Sequence, residues 1–135
     1  MNSLDAALYT RLQTTSGLTS LLAGTISIYH LQAPEGATLP YVVFNIQGGG
    51  DTNQTRHRVK SLVLFVRAYS GSSAAQAGSI DAQVDTALHL VPLTVSGWTD
   101  LWLARETDLE TVQIEPSGRQ VWMAGGLYRE ITEKN

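Results

Sequence analysis

The most constraining feature of this chain is a strict alternation in its middle. Leu62, Leu64, Val66 and Ala68 are apolar, and the positions between them, Val63, Phe65 and Arg67, are mixed. A repeat of two fits a β-strand and not a helix, and it places one whole set of side chains on a buried sheet face. Val59–Tyr69 is therefore a long strand with one face on the core and the other partly covered. Tyr41–Gln47, rich in β-branched and aromatic residues, is its natural neighbour. The connection between them, Gly48–Arg58, is far longer than a hairpin needs, and a long polar loop between two strong strands is usually functional.

Helical periodicity flanks this pair. Leu4, Leu8 and Leu12 stand four apart, with Ser3 as N-cap and Asp5 in the first turn. A short second helix is expected with Thr19 as cap, Leu21 and Leu22 buried and Gly24 as its stop. Ile26–Tyr29 is a short strand. Ser73 and Gln76 fit a capping box, and Ala77, Ile80, Val84, Ala87, Leu88 and Val91 form one stripe that ends at Pro92. Leu93–Val95, Trp98–Thr107 and Arg119–Ile131 complete the strands, with Asp108–Gly118 as a second extended connection. The order α-α-β-β-β-α-β-β-β predicts an α+β fold: a mainly antiparallel sheet with an N-terminal helix and one long central helix packed on one face, as a single domain over residues 1–135.

Composition narrows the chemistry. The chain has 135 residues and no cysteine, which excludes disulfides, zinc–thiolate sites and thiol nucleophiles. A net charge of -3 argues against generic duplex-DNA binding, and 43% hydrophobic with 16% charged residues argues against disorder. No apolar run is long enough to span a membrane, and the N-terminus lacks the pattern of a signal peptide. Gly48-Gly49-Gly50 lacks the Gly-Lys-Ser/Thr ending of a phosphate loop and precedes no helix. His30, His57 and His89 are isolated, and His89 is expected to form a surface pair with Asp85. Asp81 and Asp85 are expected on a solvated helix flank, and Asp100, Glu106, Asp108 and Glu110 match no metal-ligand loop. No Gly-x-Ser-x-Gly elbow is present. No catalytic, cofactor-binding or metal-binding residue is assigned, and no enzyme is expected.

The one basic run, Arg56, His57, Arg58 and Lys60, suits an acidic protein partner better than nucleic acid, because the loop lacks stacking aromatics. Trp98, Asp100 and Trp102 share one strand face, and Leu101, Leu103 and Arg105 the other. Both faces carry apolar weight, so either the monomer buries both or another subunit covers one.

The segment LDAALYTRLQTTSGLTSLLAGTISIYHLQAPEGATLPYVVF resembles the opening of the tail-completion or tail-terminator proteins of long-tailed bacteriophages. The matching elements are the amphipathic start, Leu18–Gly24, Ile28-Tyr29, Ala33-Pro34, Gly36 and Leu39-Pro40-Tyr41-Val42-Val43; the later layout matches as well. The resemblance implies a structural virion protein without cofactors that caps the tail tube as a ring, commonly a hexamer, and forms the tail side of the head–tail joint. The alternatives are a head-completion or connector stopper of similar fold and a non-phage soluble binding domain. Implied partners are other copies of the chain, the tail-tube protein and the head-completion or connector protein. DNA is implied only in transit through the channel, and no membrane. The implied location is the head-proximal end of the tail, with the host cytoplasm during assembly. A ring needs two different patches that meet. The expected patches are Arg56, Arg58 and Lys60 on one side and Glu106, Asp108 and Glu110 on the other, with Trp98 and Trp102 as apolar anchors.

Overall fold

The computed structural model describes residues 1–24 and 26–135. Its elements follow the order read from the sequence: α1 (Asn2–Thr14), α2 (Ser16–Thr19), β1 (Ile28–His30), β2 (Tyr41–Asp51), β3 (Val59–Ser70), α3 (Ala74–Leu88), β4 (Thr94–Val95), β5 (Trp98–Ile114) and β6 (Gln120–Lys134). One sheet of six strands runs β1-β2-β3-β6-β5-β4. Among the described residues only the β1–β2 pair is parallel, and the other ladders are antiparallel. The mixed α+β class with a mainly antiparallel sheet is as expected. A single dominant central helix is not: α3 has 15 residues and α1 has 13, and the two share the helical layer.

The alternation in β3 sets the layers. Leu62, Leu64, Val66 and Ala68 are all at most 5% exposed, while the residues between them are half-buried. They face Ile80, Val84 and Leu88 of α3 and Leu4, Leu8 and Leu12 of α1, all in one apolar cluster with Val42, Phe44 and Tyr128. Among the described residues the opposite sheet face has no helix on it. The α3 start is built as read: the Ser73 hydroxyl accepts from the Gln76 N–H at 3.1 Å.

Several local expectations are corrected. Helix α1 begins at Asn2, so Ser3 lies inside it and caps nothing. Helix α2 ends at Thr19 with Leu18 as its buried anchor, and Leu21 is 41% exposed. Thr15 breaks away in an extended conformation, and that moves the turn ahead of the expected cap. Strand β1 starts at Ile28 and not at Ile26, which is exposed. Gly48–Asp51 is the end of β2 and not loop: Gly48 pairs with Val63 and Gly50 with Ser61 after a bulge at Gln47. Gly49 is required there, because its φ is +103° and a Cβ would collide with the Ser61 carbonyl oxygen. The connection Asp108–Gly118 is likewise largely strand, since β5 runs on to Ile114 against Gln120–Met123. β-Branched Thr111, Val112 and Ile114 extend the hairpin by cross-strand pairing.

Two bulges in β5 also reverse a face assignment. The register shifts between Asp100 and Trp102, and again between Arg105 and Thr107. Trp98 and Asp100 therefore share the helix-side face with Leu103 and Arg105, while Trp102 pairs with Ile131 on the other face.

Because Val84 is 1% exposed inside the α3–β3 contact, Val84→Asp would bury an unpaired carboxylate. The expected loss is about 3 kcal/mol or more. A urea midpoint equal to that of the wild type would show that this helix face is not the core face.

Candidate functional site

Three groups of charged residues bear on the expected site, one largely buried and two at the surface. The buried group centres on Arg105, whose side chain is 13% exposed. Its guanidinium donates to Asp81 at 2.9 and 2.7 Å, to Asp108 at 2.6 Å, to the Tyr128 hydroxyl at 3.1 Å and to the Gly125 carbonyl at 2.9 Å. The Tyr128 hydroxyl donates in turn to Asp85 at 3.2 Å. Burial alone would lower the Arg105 pKa, but the hydrogen bonds to Asp81, Asp108 and Tyr128 outweigh it and hold the group above its ordinary value. Burial pushes the Tyr128 phenol up, against the pull of Arg105. The expected solvated flank of Asp81 and Asp85 is thus a pairing surface for β5. The expected His89–Asp85 pair is absent among the described ion pairs. The His89 ring nitrogen Nδ1 instead accepts the Arg105 backbone N–H at 3.0 Å.

The first surface group lies at the β2–β3 turn. Asp51 accepts from both Arg58 Nε and Nη2 at 3.1 Å, and Lys60 Nζ lies 3.3 Å from the same carboxylate. Arg58 holds the Asp51 carboxyl below its usual range. Arg56 stands exposed in the loop itself. Lys60 also sits 6.0 Å from the ring centroid of Trp98, which packs half-buried against the core.

The second surface group lies along β5. Glu106 meets Arg129 at 3.3 Å, Asp108 is 84% exposed although it bonds Arg105, and Glu110 is exposed. Nearby, Leu90, Leu101 and Trp102 are each about half exposed and, with Val91 and Pro92, line a shallow depression of about 220 Å³. Of the eight residues expected at an interface, the structure brings Lys60 and Trp98 together at one end of the sheet. Glu106, Asp108 and Glu110 line up along β5, and Trp102 lies between the two. No contact joins the basic and acidic groups within a subunit among the described residues.

Two positions escaped the sequence reading. Arg105 could have been found from the facing i,i+4 pair Asp81 and Asp85, which needs a cation once that helix flank is packed. Glu130 gave no signal beyond an acid inside an apolar strand. It is 0% exposed, and neither carboxyl oxygen has a partner when both acids are ionised. Burial, then the neighbouring Asp100, push its pKa up to about 9. A proton on Glu130 resolves the conflict by donating to Asp100, whose Oδ1 is otherwise unpartnered and whose Oδ2 accepts from the Leu93 N–H at 2.6 Å. Among the described residues no group of three or more His, Asp or Glu is placed to hold a metal ion. Nor is any helix long and apolar enough to cross a membrane.

The sequence profile of the family described as Tail completion protein gp17 matches residues 6–116. No curated protein matches the chain. A chain in the virion of a native gene transfer agent (GTA) particle has a similar fold: the TM-score is 0.79 at 18% identity, covering 96% of this chain and 94% of that one. The bacteriophage SPP1 gp17 protein superposes with a TM-score of 0.58 at 19% identity, covering 99% of this chain and 90% of that one.

Two outcomes follow from the buried groups. Arg105→Ala would leave Asp81 buried without its cation and is expected to cost about 3–5 kcal/mol in urea denaturation; an unchanged midpoint would remove the network from any structural role. For Glu130, the folded pKa of about 9 lies above the ordinary 4.5, so the folded state binds the extra proton. Its contribution to stability is complete below pH 4.5 and is lost as pH rises toward 9. Glu130→Gln should therefore gain on wild type by about 1 kcal/mol per pH unit across that window. Parallel stability–pH curves for the two proteins would contradict this.

Proposed function

Since the chain belongs to the Tail completion protein gp17 family and is a structural protein of the phage tail, we propose that it caps the tail tube as a ring of identical subunits and forms the tail side of the head–tail joint. The family match is the observation that carries this reading. The likeness in fold to a chain of a gene transfer agent virion and to SPP1 gp17 supports a place in an assembled particle. In this reading residues 1–135 act as one tail-completion domain at the head-proximal end of the tail, assembled in the host cytoplasm. Its neighbours are other copies of itself, with six as the expected ring number, the tail-tube protein below and the head-completion or connector protein above. DNA passes through the ring without being read.

The charge layout is compatible with a ring. Arg56, Arg58 and Lys60 crowd one turn, and Glu106, Asp108 and Glu110 line a different strand. A surface that is basic in one place and acidic in another suits a heterologous contact repeated around an axis. Opposite charges there set register and speed encounter, while Trp98 and Trp102 supply apolar contact. Asp51 already neutralises part of the basic turn, which keeps the attraction weak until several subunits close together on the tube.

The expected outcome of Arg56→Glu with Arg58→Glu is stalled tail completion, seen by electron microscopy as tails of uncontrolled length or tails unable to join heads. Adding Glu110→Lys should restore part of the activity. Normal infectious particles from the arginine-reversed protein would remove this pairing.

A further inference from the structure

The sheet is closed off at both ends by very short strands. β1 covers only Val42–Phe44 of β2, and β4 covers only Trp98 and Thr99 of β5. The chain after α3 adds one further cover, the Leu90 N–H donating to the Leu103 carbonyl at 2.7 Å. Beyond these, Ile46–Asp51 of β2 and Thr107–Ile114 of β5 carry no second ladder among the described residues. Unpaired edges of this length are normally guarded by lysine, proline or a covering segment. The β5 stretch has neither residue, and it is rich in strand formers, with Val112 53% and Ile114 70% exposed.

Resting on the reading that copies of this chain form a ring, we propose that neighbouring subunits join by antiparallel main-chain pairing between Thr107–Ile114 of β5 in one copy and Ile46–Asp51 of β2 in the next. Strand polarity carries the direction. β2 and β3, β3 and β6, and β6 and β5 are each antiparallel, so β5 runs opposite to β2. A copy related by rotation about a ring axis then presents its β2 antiparallel to the waiting β5 edge. Charge selects the partner: two β5 edges would oppose Glu106, Asp108 and Glu110 to themselves, whereas the β2 edge leads into the turn bearing Arg56, Arg58 and Lys60.

The stagger is consistent with this pairing. Through the ladders, Ile46 is level with Arg105 and Asp51 with Asp100, whereas Val42 is level with Glu110. Each edge is thus open where the other is covered. The offset is about six residues, or about 20 Å, and four long strands span about 19 Å. Strands inclined by about 45° to the ring axis bring the open stretches together, at the steep end of what closed sheets adopt. Gly48 and Gly50 leave the β2 stretch bare: a Cβ on either would meet nothing within 4 Å, so the subunit's own packing does not require glycine there. Bare backbone suits close approach by a neighbour.

The experiment uses the full chain, dilute and then concentrated or assembled on purified tail tubes. Amide hydrogen exchange of Thr107–Ile114 should slow at least tenfold on assembly. The chain has no cysteine of its own, so Thr111→Cys combined with Gly48→Cys or Gly50→Cys should give a ladder of disulfide-linked multimers on oxidation. Each single variant should give none. Assembly seen by sedimentation without protection of β5 and without a ladder would overturn the edge pairing and leave the ring reading standing. Efficient cross-linked dimers from Thr111→Cys alone would mean β5 meets β5 and would also overturn it. A chain that stays monomeric when concentrated and on tubes would overturn the ring reading itself.

Discussion

A guanidinium out of water must find acceptors, and much of this molecule is arranged around that need. Arg105 projects from β5 beneath α3 and binds one or more groups on α3, β5 and β6. The bulge beside it, between Arg105 and Thr107, lies where the strand bends to aim this side chain. Gly126 is glycine because a Cβ there would stand 2.6 Å from the Arg105 Cζ. Asp81 and Asp85 face the sheet because their cation lies there, so the register of α3 over the sheet is set by charge as well as by its apolar stripe.

That arrangement leaves the helices on one face only and lets the β5–β6 hairpin run past the end of β3, whose last pair is Ser70 with Trp122. The outer part of β5 is exposed on its edge, because β4 covers only Trp98 and Thr99. A monomer gains nothing from such a strand, since unpaired main chain invites association. In the ring proposed for this tail completion protein the same feature is useful, because a neighbouring copy can pair with it. The core supplies a rigid frame, and the surfaces available for assembly are those the core leaves unsatisfied.

Glu130 illustrates a second kind of compromise. An acid buried beside another acid keeps its proton at neutral pH, and stability falls as pH rises toward about 9. A hydrophobic residue of similar size would avoid that cost. The proton-bearing pair does link β6 to β5, and through the Asp100 bond to the Leu93 N–H it also holds the chain leading into β4.

Much of the fold was legible because it rests on short-range periodicity. The alternation from Leu62 to Ala68, the spacing of Leu4, Leu8 and Leu12, and the Ile80–Val84–Leu88 stripe each state a local period, and together they determined element type, order and the core. The failures lie where a residue's role depends on a partner distant in sequence. Gly48–Gly50 and Asp108–Ile114 read as loop, since glycine and acids are poor strand formers, yet they are held extended by ladders to β3 and β6. The face of Trp102 turned on a one-residue bulge, which no period can announce. The candidate interface residues could be named from charged stretches and strand tryptophans alone. That the basic turn and the acidic residues stand apart on one subunit was decided only by the tertiary structure, because the ladders set Lys60 level with Asp100 near the start of β5, several residues short of Glu106, Asp108 and Glu110.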